Sequence, residues 1–207
     1  LVGYGARAML LAGLMLLLAH SLFKSALFLS VGIVDVATGT RDLRELSGIG
    51  RRLPWVAAFA GLADLSMMGI PPFAGFVAKE GALASLWGGS PEDWLTLVAI
   101  AAGSALTVGY GLRFWWGAFC RKPEVEDTPI GRVSLLTVTP VGILALASLA
   151  AGLCVSPLTG FLAGYANAYD AAASSTARGV TGASAATVGL AGPEAHPLHV
   201  WGGWNGP

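Results

Sequence analysis

Four long apolar stretches organise the chain, separated by short polar connections. A bilayer core about 30 Å thick is crossed by about 20 helical residues, so each stretch is predicted to be a transmembrane helix. The first runs from about Ala6 to Val34, longer than one straight crossing requires, so tilt or an extended end is expected. The second runs from Leu53 to about Trp87 and is interrupted at Gly69-Ile70-Pro71-Pro72. Adjacent prolines remove two amide donors and clash with the preceding turn, which predicts a broken helix. The third spans about Trp94 to Phe119, and the fourth about Ser134 to Val155 with Pro140 inside it; Pro157 is expected to close it. No alternating strand pattern is sustained, so the predicted fold is all-α, a polytopic membrane helix bundle with one proline-broken transmembrane helix.

Basic residues accumulate in short cytoplasmic loops. Arg41, Arg44, Arg51 and Arg52 lie between the first two stretches, and Arg121, Lys122 and Arg132 follow the third, so both connections are predicted to be cytoplasmic. The connection from Gly88 to Asp93 carries Glu92 and Asp93 and no base, which predicts an external loop. Trp55, Trp115 and Trp116 fall at the predicted inner ends and Trp87 and Trp94 at the outer ends, as in an aromatic belt. Residues 1 to 160 form the predicted membrane domain. From 161 to 207 the composition turns to Ala, Ser, Gly and Thr, for which an external low-complexity loop or tail is expected.

Composition sharpens this picture. Of 207 residues, 55% are hydrophobic and 12% charged, about half the charge a soluble domain carries on its surface. Twelve basic and twelve acidic side chains cancel, so no nucleic-acid partner is expected and the bilayer is the main solvent. Cys120 and Cys154 form no ligand spacing, and His196 and His199 flank a proline without a third ligand, so no cofactor or resident metal is expected. The chain starts at Leu1 and is expected to be part of a longer membrane protein.

Lys24, Asp64, Lys79 and Glu80 lie inside the predicted crossings, with Asp35 and Arg113 near helix ends. Each such charge costs roughly 2.5–3.5 kcal/mol to insert, a cost usually tied to function. Arg113 lies near the inner tryptophan pair and reads as a snorkelling anchor. At about 100° per residue, His20 lies about 40° to one side of Lys24 and Asp35 about 20° to the other, so one helical stripe carries all three. Two readings stand for that stripe: a structural ion pair within a bundle, or a protonatable lane. Lys79 and Glu80 follow the double-proline break, where half-helix ends expose partial charges suited to an ion site. They are adjacent and diverge by about 100°, so they do not face each other. Asp64 lies near mid-membrane, either as a structural anchor for a neighbouring amide or hydroxyl or as an ion ligand.

Two motifs then give the chain a family likeness. His20-Ser21-Leu22-Phe23-Lys24-Ser25-Ala26-Leu27-Phe28 resembles the H-x-x-F-K-x-x-L-F helix, and Gly69-Ile70-Pro71-Pro72-Phe73-Ala74-Gly75-Phe76-Val77-Ala78-Lys79-Glu80 resembles the G-x-P-P-F-x-G-F-x-x-K-D/E broken helix, of the antiporter-like subunits shared by complex I and the multisubunit Mrp-type sodium/proton antiporters. Gly32-Ile33-Val34-Asp35 through Thr38-Gly39-Thr40-Arg41-Asp42 is similar to the version in the A-type subunit of the Mrp antiporters, G-I-x-D-x-x-T-G-T-R-D. The resemblance covers roughly residues 1 to 160 and implies the C-terminal part of an antiporter module. It departs from the family at Leu16 and Val36, where histidines are common, and at Asp64, where a small neutral residue is expected.

The resemblance implies a cation/proton antiporter subunit in the plasma membrane, working with other subunits of a multisubunit complex and moving H⁺ in exchange for Na⁺. Lys24 and Lys79 would carry protons, with His20, Glu80 and Asp35 as further candidates for proton or ion translocation; Asp64 is a candidate on its buried charge alone, with no role carried over from the family. Such a chain is a secondary transporter subunit, not an enzyme. One alternative is the proton-pumping membrane subunit of an NADH-quinone oxidoreductase. Another, of a different class, is a non-transporting assembly scaffold whose buried charges only pair helices.

Overall fold

The computed structural model describes residues 7–180. Its elements are α1 (Arg7–Thr38), α2 (Ile49–Arg52), α3 (Pro54–Met68), α4 (Ala74–Leu86), α5 (Pro91–Phe119), α6 (Leu135–Leu153) and α7 (Val155–Val180), with no strand among the described residues. Three helices are long and apolar enough to cross a membrane: α1 from Leu10, α5 and α6. The second apolar stretch is divided between α3, with 15 residues, and α4, with 13, each shorter than a crossing.

The bundle is assembled around α1, which packs against α3, α4 and α6. Lipid is as apolar as leucine, so helices associate there through close packing of small residues. Ala12, Ala19 and Ala26 are fully buried at seven-residue intervals along α1, with Met15 and Phe23 between them. The facing stripes follow the same rule: Ala57, Ala60 and Ala63 on α3, and Val141, Ala145, Ser148 and Gly152 on α6. Ser66 and Ser148, both fully buried, join α3 to α6 with their hydroxyl oxygens 2.7 Å apart. By contrast α5 buries only Gly111, Ala118 and Phe119. It starts on a capping box, in which Ser90 N–H donates to Asp93 Oδ2 at 2.7 Å and Asp93 N–H to Ser90 Oγ at 3.4 Å.

The two connections predicted to be cytoplasmic meet at one end of the bundle. Gly48 N–H donates to the Cys120 carbonyl and Thr128 N–H to the Ser47 carbonyl, at 3.2 and 3.1 Å. Lys122 Nζ donates to the carbonyls of Leu43, Leu46 and Gly117, tying both connections to the end of α5.

Beyond Cys154 the structure departs from the expected loop. Pro157 does not terminate a final helix; it sits in the first turn of α7, where a missing N–H disrupts no intrahelical bond. The alanine-rich segment favours helix, and Val155, Leu158, Leu162 and Ala166 recur at helical spacing on the inner face. That face packs on α1 and α6, while Phe161 and Tyr165 are exposed. The low-complexity expectation for 161–180 is thus replaced by a helix, because α1 and α6 offer a surface that takes up its apolar stripe. The rest of that tail, including His196 and His199, lies outside the described residues.

Candidate functional site

The double-proline break builds the first part of the site. An α-helix leaves its last four carbonyls without intrahelical partners, and those of α3 belong to Leu65, Ser66, Met67 and Met68. Gly69, at φ 80°, donates its N–H to the Ser66 carbonyl, and Ile70 N–H reaches the Leu65 carbonyl, both at 3.1 Å. This is a Schellman ending, which requires a left-handed residue after the helix and so favours glycine. The two remaining carbonyls, Met67 and Met68, accept from Lys79 Nζ at 2.9 and 3.1 Å. The lysine therefore completes the C-terminus of a neighbouring half-helix, at the negative end of its dipole. Two glycines make room for the break: a Cβ at Gly75 would overlap the Ser66 carbonyl, and one at Gly152 the Pro72 carbonyl.

The second part lies across α1, α3 and α5. Lys24 Nζ stands 5.7 Å from the centre of the Tyr110 ring, a cation–π arrangement. The Tyr110 hydroxyl donates to Met67 Sδ at 3.5 Å, beside the carbonyl that holds Lys79. Asp64 is 2% exposed and its Oδ1 is buried without a hydrogen-bond partner. A Cβ at Gly111 would lie 2.6 Å from that oxygen, so the carboxylate is aimed at the α5 backbone where no side chain intervenes.

The other candidates separate. His20 is exposed, its ring 5.2 Å from that of Phe23. Asp35 does not join Lys24; it accepts from Arg41 Nη2 at 2.6 Å near the loop end, and this bond raises the already high pKa of the guanidinium. Glu80 has a buried, unpartnered Oε2. Among the described residues the ion pairs are Arg41–Asp35 and Arg121–Asp127, so neither Lys24 nor Lys79 has a carboxylate within 4.0 Å. Arg113 is exposed on α5. Sequence reasoning missed Tyr110, Met67, Met68 and the Ser66–Ser148 pair. Only the glycine after α3 hinted at which carbonyls would be left for Lys79.

Comparison with known proteins agrees with this architecture. Residues 1–107 match the family described as "NADH:quinone oxidoreductase/Mrp antiporter, TM". The chain is 32% identical over 155 residues to the A1 subunit of the Na(+)/H(+) antiporter of Staphylococcus aureus strain JH9, covering 69% of this chain and 19% of that protein. The corresponding protein of strain Newman matches at the same identity and coverage. A solved structure of the Mrp complex from Dietzia sp. superposes with a TM-score of 0.60 at 29% identity, covering 72% of this chain and 35% of that one. The chain thus spans about a fifth of the length of the curated relatives it matches. With its helical fold, its two motifs and a family match over more than half its length, this multi-pass membrane chain belongs to the NADH:quinone oxidoreductase/Mrp antiporter transmembrane family, and within it is similar to the A-type subunit of the Mrp antiporters.

Proposed function

We propose that the chain is part of a plasma-membrane cation/proton antiporter, working with the other subunits of a multisubunit complex, in which Lys79 is the principal proton carrier and Lys24 a second. The observation that carries this reading is the position of Lys79. Its ammonium rests on two carbonyls freed by a helix break and has no carboxylate within 4.0 Å. A lysine held only by neutral dipoles can release its proton without leaving an uncompensated carboxylate behind. Lys24, over the Tyr110 ring, is held in the same manner. His20, exposed on α1, would exchange protons with water or a neighbouring protein of the complex, and Asp35, paired with Arg41, would close the lane at the loop end. Glu80, with a buried unpartnered oxygen, would take part beside Lys79. The reading is of a transporter component, not an enzyme.

Na⁺ is a hard cation that takes oxygen ligands and is not bound by an amine. Coupling would therefore work by displacement: a cation near a lysine favours the neutral amine and release of its proton. The test uses the full-length protein in its complex, in membrane vesicles. Lys79→Ala removes the titrating amine, whereas Lys79→Arg keeps the charge but stays protonated at accessible pH. Both are expected to abolish Na⁺-dependent proton flux while the complex still assembles. Normal flux in Lys79→Arg at matched expression would leave Lys79 as a fixed charge that completes α3, and would sink the carrier role.

A further inference from the structure

We propose that Asp64 is a proton-binding carboxylate, exchanging a proton with Lys24 across the junction of α1, α3 and α5. The assignment rests on the transport reading above but concerns a residue outside both family motifs. Asp64 is the most deeply buried carboxylate described, and its Oδ1 has neither a hydrogen-bond donor nor an ion pair. An ionised carboxylate is costly in such a place unless a positive charge lies nearby, so a lone structural anchor would leave this oxygen bonded, not bare. The fold brings it against the α5 backbone. Gly111 supplies no side chain there, so Oδ1 approaches the backbone closely, with Met68 Cε beside it.

The groups around it define the exchange. From α1, Lys24 projects to the Tyr110 ring, whose chain neighbour Gly111 is the residue Asp64 Oδ1 packs against. From α5 comes Tyr110 itself, with its hydroxyl engaged by Met67 Sδ. From α4, Lys79 is occupied by the Met67 and Met68 carbonyls, one turn along α3 from Asp64, and Glu80 follows it. Arg51 and Arg52 of α2, and Arg113 of α5, are exposed, and α6 carries no titratable side chain. Lys24 is therefore the donor and acceptor available to Asp64, and its four-carbon stem is flexible enough to swing from the ring to the carboxylate. In the step, one N–H bond of the Lys24 ammonium breaks and one O–H bond forms on Asp64. One cation and one anion become a neutral amine and a neutral acid, so the transfer leaves the net charge of the two groups unchanged and removes both charges from an apolar medium.

The experiment uses the complete complex in lipid vesicles with two readouts. Infrared difference spectra taken across a pH step, in H₂O and D₂O, are expected to show the carbonyl stretch of a buried protonated carboxylic acid. That band should disappear in Asp64→Asn and change its titration in Lys24→Gln. Na⁺-dependent proton flux is expected to fall at least about tenfold in Asp64→Asn, as when a proton-transfer group is lost, and to recover in Asp64→Glu. A band that persists in Asp64→Asn, or flux and pH profile in that variant matching the parent, would overturn the assignment. Lys79→Ala run in parallel separates the two ideas: normal flux there sinks the transport reading, whereas lost flux there with normal flux in Asp64→Asn sinks only the role of Asp64. The infrared readout does not depend on transport, so it tests Asp64 in either case.

Discussion

Gly69→Ala tests whether the helix break holds Lys79 in place. Gly69 sits at φ 80°, and a Cβ there would lie 2.8 Å from Lys79 Cδ. Two penalties follow. A left-handed backbone costs an L-residue roughly 1–2 kcal/mol, and the methyl group pushes the lysine stem away from the carbonyls of Met67 and Met68. The stem is flexible, so the backbone term dominates the energy while the displacement governs the consequence. Gly39→Ala separates the two, because Gly39 has φ 77° with nothing within 4 Å of a Cβ. Hydrogen–deuterium exchange of the full complex reads the backbone term. Exchange over residues 65–73 should accelerate about 5- to 30-fold in Gly69→Ala, the factor that 1–2 kcal/mol of local stability represents. A similar acceleration is expected near Gly39 in Gly39→Ala. Proton flux reads the displacement, and only Gly69→Ala should lose it. Exchange unaltered over 65–73 would refute the strain argument. Equal flux loss in both variants would refute the link between the break and Lys79.

The Ser66–Ser148 contact should be a modest but real seam: alanine at either position is expected to lower thermal stability, and the double variant less than the sum, with a coupling of about 0.6 kcal/mol; strictly additive losses would mean that the two hydroxyls do not bond. The basic connections predict membrane orientation: maleimide applied outside intact cells should modify a cysteine at position 90 and not one at position 45, both exposed positions, and the opposite pattern would reverse the topology.

Much of the architecture is legible in residue order. Long apolar runs specify helices because no other open backbone satisfies its polar groups in lipid. Gly69 and the paired prolines specify a break with orphaned carbonyls, and a lysine ten residues beyond Gly69 is within reach of them. Two features were not legible. The Ala/Ser/Gly-rich segment that forms α7 to Val180 has a composition equally at home in a loop; its helix depends on α1 and α6 receiving Leu158, Leu162 and Ala166. The helical stripe of His20, Lys24 and Asp35 is present, yet each member has a different partner: Phe23 on the same helix for His20, Tyr110 of α5 for Lys24 and Arg41 of the following connection for Asp35.

Sequence alone thus determined the helices of the four long apolar stretches, their order and the charges each must carry through an apolar medium. Tertiary structure decided which charge meets which group. Lys24 and Tyr110, and Asp64 and Gly111, are far apart along the chain and are brought together by packing in which Ala60, Ala63 and Gly111 let α3 approach its neighbours closely. In a soluble protein the apolar face of a helix points to its partners. Here lipid and core are equally apolar, so hydrophobic periodicity carries no facing information, and small-residue packing decides the contacts.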